Sequence, residues 1–186
     1  MAMPQTHAWT AEMVRALPDD GNRYEVIDGE LFVTPAPSWR HGDAILALVR
    51  LLDPYLRRHG IGHLEIAPQD VEFDERNMVE PDLFVVPLVE GRKPVGWEDV
   101  RRLLLAVEVL SPVTARADRL RKRALYQREG VPEYWIVDAD ARVVERWRPG
   151  ESRPEVLDEA LVWQPDPRTD PLTLDLPALF AEVWGG

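Results

Sequence analysis

Two acidic residues sit where acids are costly. Glu108 lies within the apolar run Leu103-Leu104-Leu105-Ala106-Val107-Glu108-Val109-Leu110, and Asp82 opens the short hydrophobic stretch PDLFVVP. Each run is bounded by charged or turn-forming residues and predicts a buried strand. A buried carboxylate without a partner is unfavourable, so such residues are kept where they meet a cation. If the two strands are neighbours, both carboxylates can lie near one end of a sheet. Each would then raise the other's pKa, and a divalent cation removes that penalty. Two hard oxygen donors suit Mg²⁺ or Mn²⁺. A site of this kind can activate water and stabilise a phosphate transition state. Plainer readings stay open. Asp82 could cap backbone amides in a turn after Pro81, and Glu108 could pair with an arginine such as Arg119 or Arg123.

Other residues are weaker candidates. Asp70, in PQDVEFD, is the strand acid nearest the pair and a possible further ligand. His41 could act as a base or a phosphate contact, or be an ordinary helix-surface histidine. His7, His41, His59 and His63 show no metal-ligand spacing, which argues against zinc. Trp135 and Trp147 fall in strand patterns and read as core or subunit interface.

The chain has 186 residues, 45% hydrophobic and 30% charged, ordinary for one globular domain with a sizeable core. There is no cysteine, so disulfides and thiolate metal sites are excluded. No apolar stretch approaches the ~20 residues of a membrane span and no signal-peptide pattern opens the chain; a cytoplasmic protein is expected. The net charge of −11 argues against a general nucleic-acid coat protein. Charge is uneven, however. Residues 101–130 hold eight Lys/Arg against three Asp/Glu, a net of +5, whereas residues 151–186 hold two against eight, a net of −6. Arg116, Arg119 and Arg123 in the basic stretch could face a nucleic-acid backbone; the alternative is a solvated helix face.

These residues need elements to position them. Residues 8–17 predict a short helix closed by Pro18-Asp19-Asp20-Gly21. RYEVIDGELFVTP predicts a hairpin around Asp28-Gly29. Ser38 can cap a long helix to about His59, which Pro54 should kink or split. Three strands follow, with a break at Pro68 between the halves of HLEIAPQDVEFD. TARADRLRKRALYQREG predicts a helix capped by Thr114 and stopped by Gly130. EYWIVDA and RVVERWR are strands, and the Pro- and Asp-rich tail ends in a short helix, LPALFAEVW. The order implies an α/β domain: one mixed central sheet flanked by helices.

The Pro-Asp dipeptide, the acid near the end of the next strand and the basic helix after it resemble a PD-(D/E)XK nuclease core. More closely, RYEVIDGEL, VEPDLFVV, LAVEVLSP and GVPEYWIVD resemble the Uma2 family of restriction-endonuclease-like proteins, over roughly residues 23–148. The resemblance implies a restriction-endonuclease-like core with an N-terminal β-hairpin extension, within one nuclease-like domain over 1–186 (core about 23–148, acidic tail 149–186). One position departs from the nuclease signature: Leu110 stands where a lysine is expected. The resemblance implies that the lysine has moved to the following helix, where Asp118, Lys122 and Tyr126 recur at i, i+4 and i+8 on one face. Lys122 is one of only two lysines in the chain, and an ammonium can give up a proton, which a guanidinium does not readily do. The plain reading is an exposed ion pair with Asp118. The resemblance also marks Glu25 and Glu30.

The expected function is a Mg²⁺- or Mn²⁺-dependent DNA endonuclease. Asp82 and Glu108 hold the metal, Lys122 completes the catalytic set, and Glu25, Glu30, His41, Asp70, Asp118 and Tyr126 support it. One active site cuts one strand, so a duplex nuclease is expected as a homodimer or homotetramer. The rival is a non-enzymatic scaffold that binds nucleic acid or mediates assembly; it draws on the −11 charge and on Leu110.

Overall fold

A computed structural model describes residues 8–185; His7 lies outside that range. Helix α1 (Ala11–Arg15) is capped by the Thr10 side chain. The hairpin β1 (Arg23–Ile27) and β2 (Glu30–Thr34) turns at Asp28 and Gly29, whose φ angles are +53° and +78°. Two consecutive left-handed residues give the turn the twist that antiparallel strands need. A Cβ on Gly29 would also meet the Arg76 and Ala8 side chains at 2.9 Å.

Helix α2 (Trp39–His59) starts at Ser38, whose Oγ accepts from the His41 amide, and ends at left-handed Gly60. Pro54 neither splits nor ends it. Six strands follow: β3 (Gly62–Ile66), β4 (Val71–Asp74), β5 (Asn77–Val79), β6 (Leu83–Pro87), β7 (Leu105–Val109) and, after the next helix, β8 (Tyr134–Asp138). That helix is continuous but not uniform. An α turn, α3 (Ala115–Ala117), passes through a π segment (Asp118–Lys122) into α4 (Arg123–Arg128). Thr114 is the N-cap residue of α3, as expected, but its side chain makes no capping bond there. The Ser111 carbonyl accepts from the Ala115 amide, and the two hydroxyl residues exchange backbone hydrogen bonds reciprocally. Then come β9 (Val143–Trp147), β10 (Glu155–Leu157), β11 (Ala160–Trp163), β12 (Leu172–Asp175) and α5 (Leu176–Trp184).

The expected mixed central sheet is present, and two smaller sheets accompany it. The main sheet has six strands in the order β10-β9-β8-β7-β6-β3, with β7 and β8 parallel and every other pair antiparallel. The hairpin joins β5 and β4 in a second sheet, β2-β1-β5-β4, and β11 and β12 form a ribbon. The tail is therefore no appendage. Leu161, Trp163, Leu174, Leu176, Leu179, Phe180 and Val183 share one buried cluster with α2 and with Leu83, Val85, Leu105, Val107 and Val109 of the main sheet. Phe84, Val86 and Ala106 point to the other face, into a cluster with Ile27, Leu125, Tyr126, Tyr134 and Ile136. By strand alternation Glu108 lies on the Ala106 face, beneath α4 and the second sheet. No helix among the described residues is long and apolar enough to cross a membrane.

Phe180, on α5, is 1% exposed in the cluster shared with α2 and the main sheet. Phe180→Ala is expected to destabilise the protein by ~3–5 kcal/mol, read from denaturant midpoints. A tail that merely rested on the surface would give under ~1 kcal/mol.

Candidate active site

Antiparallel pairing of β6 with β7 sets Leu83 opposite Val107, which brings Asp82 across from Glu108 at one end of the main sheet. The link is direct: the Val109 amide donates to Asp82 Oδ2 at 2.8 Å. Both acids line a cavity of about 550 Å³ between the start of α2 and the loops after β2, β7 and β8.

Each acid is held differently. Asp82, 1% exposed, accepts from Arg23 Nη1 at 2.8 Å, and His41 Nε2 stands 3.1 Å from the same oxygen. Burial works to raise its pKa, but His41, Arg23 and Lys122 outweigh burial and hold it down at about 2. Glu108 Oε1 accepts from Lys122 Nζ at 2.9 Å and from the Tyr126 hydroxyl at 3.3 Å. Burial raises its pKa well above the ordinary range, and Asp82, Asp118 and Glu25 add to this against Lys122. Among the described residues Glu108 Oε2 makes no hydrogen bond, so that oxygen is available to a ligand in the cavity.

Lys122 is not an exposed ion-pair partner. It is 2% exposed, with Glu25 Oε1 at 2.9 Å and Asp118 Oδ1 at 3.7 Å besides Glu108. Burial alone would lower its pKa; Glu108, Glu25, Asp118 and Asp82 raise it instead, so the ammonium keeps its proton. Glu25 is fixed in turn by the Glu80 amide at 2.8 Å. Both oxygens of Asp118 are buried without a hydrogen bond, and burial pushes its pKa up to about 6. The π segment that runs from Asp118 to Lys122 widens the helix where these side chains turn inward. Four buried carboxylates thus face two permanent cations, Arg23 and Lys122.

Of the residues expected from sequence, Asp82, Glu108, Lys122, Glu25, His41, Asp118 and Tyr126 converge. His41 stands in the first turn of α2 against Asp82, so it is no ordinary surface histidine. Glu30 and Asp70 do not converge. Glu30 pairs with Arg121 at 3.0 Å on the surface, and Asp70 faces Arg15 at 3.7 Å in a separate groove. Arg119 bonds Glu145 and Asp138, Arg123 stacks 4.8 Å over the Trp147 ring, and Arg116 is exposed; none of the three lines the cavity. The basic side chains that do are Arg23, Arg40 and His41. Sequence reading missed Arg23, although Arg23 and Glu25 alternate onto one face of β1, and that spacing was the available signal.

The donor set can be tested against a metal. No group of three or more Asp, Glu or His among the described residues is arranged to hold one unaided. Mg²⁺ keeps several waters and takes one or two carboxylates, so Asp82 and Glu108 with solvent fit it, and the excess of buried negative charge favours it.

A family model described as "Uma2: Putative restriction endonuclease" matches residues 11–180. The chain is also similar to a crystal structure described as that of "a putative nuclease belonging to DUF820" from Anabaena variabilis ATCC 29413. That match has a TM-score of 0.74 and 19% identity, and covers 94% of this chain and 98% of that one. At that identity the likeness shows the fold. No curated protein matches the chain.

Two outcomes follow from the buried charges. Lys122→Met leaves three carboxylates around a neutral side chain and is expected to cost ~3–5 kcal/mol in denaturant titrations. A loss under ~1 kcal/mol would mean that the ammonium is not balancing them. Asp118 has its folded pKa raised to about 6, so its contribution to stability is present below the unfolded value of ~3.9 and is lost as pH rises towards 6. Asp118→Asn should flatten stability over that window and make the protein more stable than wild type at pH ~8, as read from melting curves across pH.

Proposed function

We propose that this chain, a member of the family described as "Uma2: Putative restriction endonuclease", hydrolyses phosphodiester bonds in DNA with the help of Mg²⁺ or Mn²⁺. The observation that carries this reading is the meeting of Asp82 and Glu108 in one cavity, with Lys122 bonded to Glu108 behind them. Asp82 and Glu108 would hold the cation. When bound, it would supply Lewis acidity at a phosphate oxygen and make a nearby water more acidic.

The chain's own residues do the remaining work. Arg23 and the Val109 amide fix the two Asp82 oxygens, and His41, Arg23 and Lys122 keep the carboxylate ionised. Lys122 and Tyr126 hold Glu108 Oε1 at the edge of the cavity that Glu108 lines. Lys122 also offsets the charge of Glu25 and Asp118, and its field favours the negative charge that develops on the phosphate. His41 lies within reach of the cavity to take or give a proton. Exposed Arg116 would meet the strand outside the cavity. A single cavity cuts one strand, so cleavage of duplex calls for two copies of the chain.

Plasmid nicking with Mn²⁺ tests the reading. Asp82→Asn and Glu108→Gln keep the shape of each side chain and should each lower the rate by at least ~10²-fold. Circular dichroism checks that both variants fold. Calorimetric titration of Mn²⁺ should show binding to wild type that both variants weaken. Absence of both cleavage and Mn²⁺ binding would instead favour a non-enzymatic scaffold.

A further inference from the structure

The cavity has a charged floor and an apolar rim, and the rim is unusually bare. Trp39, the first residue of α2, lines it with 93% of its surface exposed. Val113 faces the cavity from the opposite loop at 64% exposure, and Pro112 lies beside it. A tryptophan is seldom left so open, because its ring carries the largest apolar area of any side chain. Among the described residues nothing makes use of the ring. Trp184, by contrast, is engaged by Arg40, whose guanidinium lies 3.5 Å over its ring.

Basic groups at the cavity are largely engaged. Arg23 bonds Asp82 and Glu80, and Arg40 pairs with Asp140. In a chain of net charge −11, phosphate neutralisation therefore supplies little affinity. A nucleotide is the ligand that suits this geometry: an anionic phosphate for the cation that Asp82 and Glu108 would hold, and a flat apolar face for the rim. A base can lie on Trp39 while its phosphate reaches Asp82 and Glu108 only if that base is unstacked from its neighbours. We infer that Trp39 is a base-stacking platform, and that the strand bound at the reactive phosphate is single-stranded or locally unpaired. This inference rests on the nuclease reading of the same cavity, whose substrate it specifies.

The test uses binding with Ca²⁺ as the probe cation, which takes the same hard oxygen ligands as Mg²⁺, so that a cation stands between the phosphate and Asp82 and Glu108. Fluorescence anisotropy would compare an oligothymidylate of about 12 nucleotides, within the usual footprint of a single-strand binder, with two controls. One is an abasic strand of equal length, and the other a duplex of equal length. Wild type should prefer the thymidylate to both. Trp39→Ala should weaken thymidylate binding by about 5- to 100-fold, the range for losing one stacked base, and leave the abasic strand unaffected. Trp39→Phe should keep most of the preference. Because the side chain is exposed, both variants should melt with wild type. Equal thymidylate affinity in wild type and Trp39→Ala overturns the inference, as does absence of thymidylate binding by wild type. Sedimentation in which wild type is a dimer, Trp39→Ala is a monomer and thymidylate affinity is unchanged would overturn it too, by assigning the ring to contact between copies. Nicking without any Trp39 effect on binding would sink the platform alone. Trp39-dependent binding without nicking would support the platform and count against the nuclease.

Discussion

The Lys122 ammonium is the interaction around which this molecule is organised. It sits within 2.9 Å of two carboxylates from different sheets and 3.7 Å of a third on its own helix. In a low-dielectric interior those acids could not all stay ionised together without it. β1 brings Glu25 from the second sheet, β7 brings Glu108 from the main sheet, and the crossover helix between the two parallel strands brings the lysine. The second sheet, the main sheet and the helix between β7 and β8 are therefore tied electrostatically at one point, beside the cavity. Asp82 is organised separately, by Arg23 and His41, so the two acids that meet at the cavity enter with opposite proton affinities.

That split has a chemical meaning. A carboxylate held at about 2 is an anion at any physiological pH, whereas Glu108 and Asp118 retain protons more tightly because burial and like charges oppose their ionisation. Environments that push neighbouring acids apart in this way are typical of sites that divide acid and base roles. A divalent cation would invert the balance at Glu108 by adding positive charge where the protein supplies too little.

Much of the site could be read from the chain, and the reasons it could not be read completely are specific. Glu108 and Asp82 stood out because an acid in an apolar run is costly unless it meets a cation, and antiparallel neighbours then fix a common end. The Asp28-Gly29 hairpin and the Ser38 cap were legible because both depend on local backbone chemistry. Strand β5 was not, since three residues are too few to show alternation. Strands β11 and β12 hid in a Pro- and Asp-rich stretch because their apolar residues contact α2, far away in sequence. The π segment left no mark in composition, and neither did the burial of Lys122: a lysine four residues from an aspartate looks the same on a surface as in a core. Glu30 was drawn in by the family resemblance and Asp70 as the strand acid nearest the pair, and only the path of the backbone shows that they face elsewhere.

The docking of α5 on α2 bears on the order in which the protein can be made. Trp184 supports Arg40 from below and donates to the Ala139 carbonyl at 3.0 Å, so the last helix braces two sides of the cavity mouth. Its partner helix is complete more than a hundred residues before α5 begins. A chain still growing on the ribosome would carry Asp82, Glu108 and Lys122 for some time with α2 unbraced and the cavity mouth unformed. Late closure by long-range contacts means that Arg40 and Ala139, at the cavity mouth, gain their contacts with Trp184 only after the rest of the site has been made.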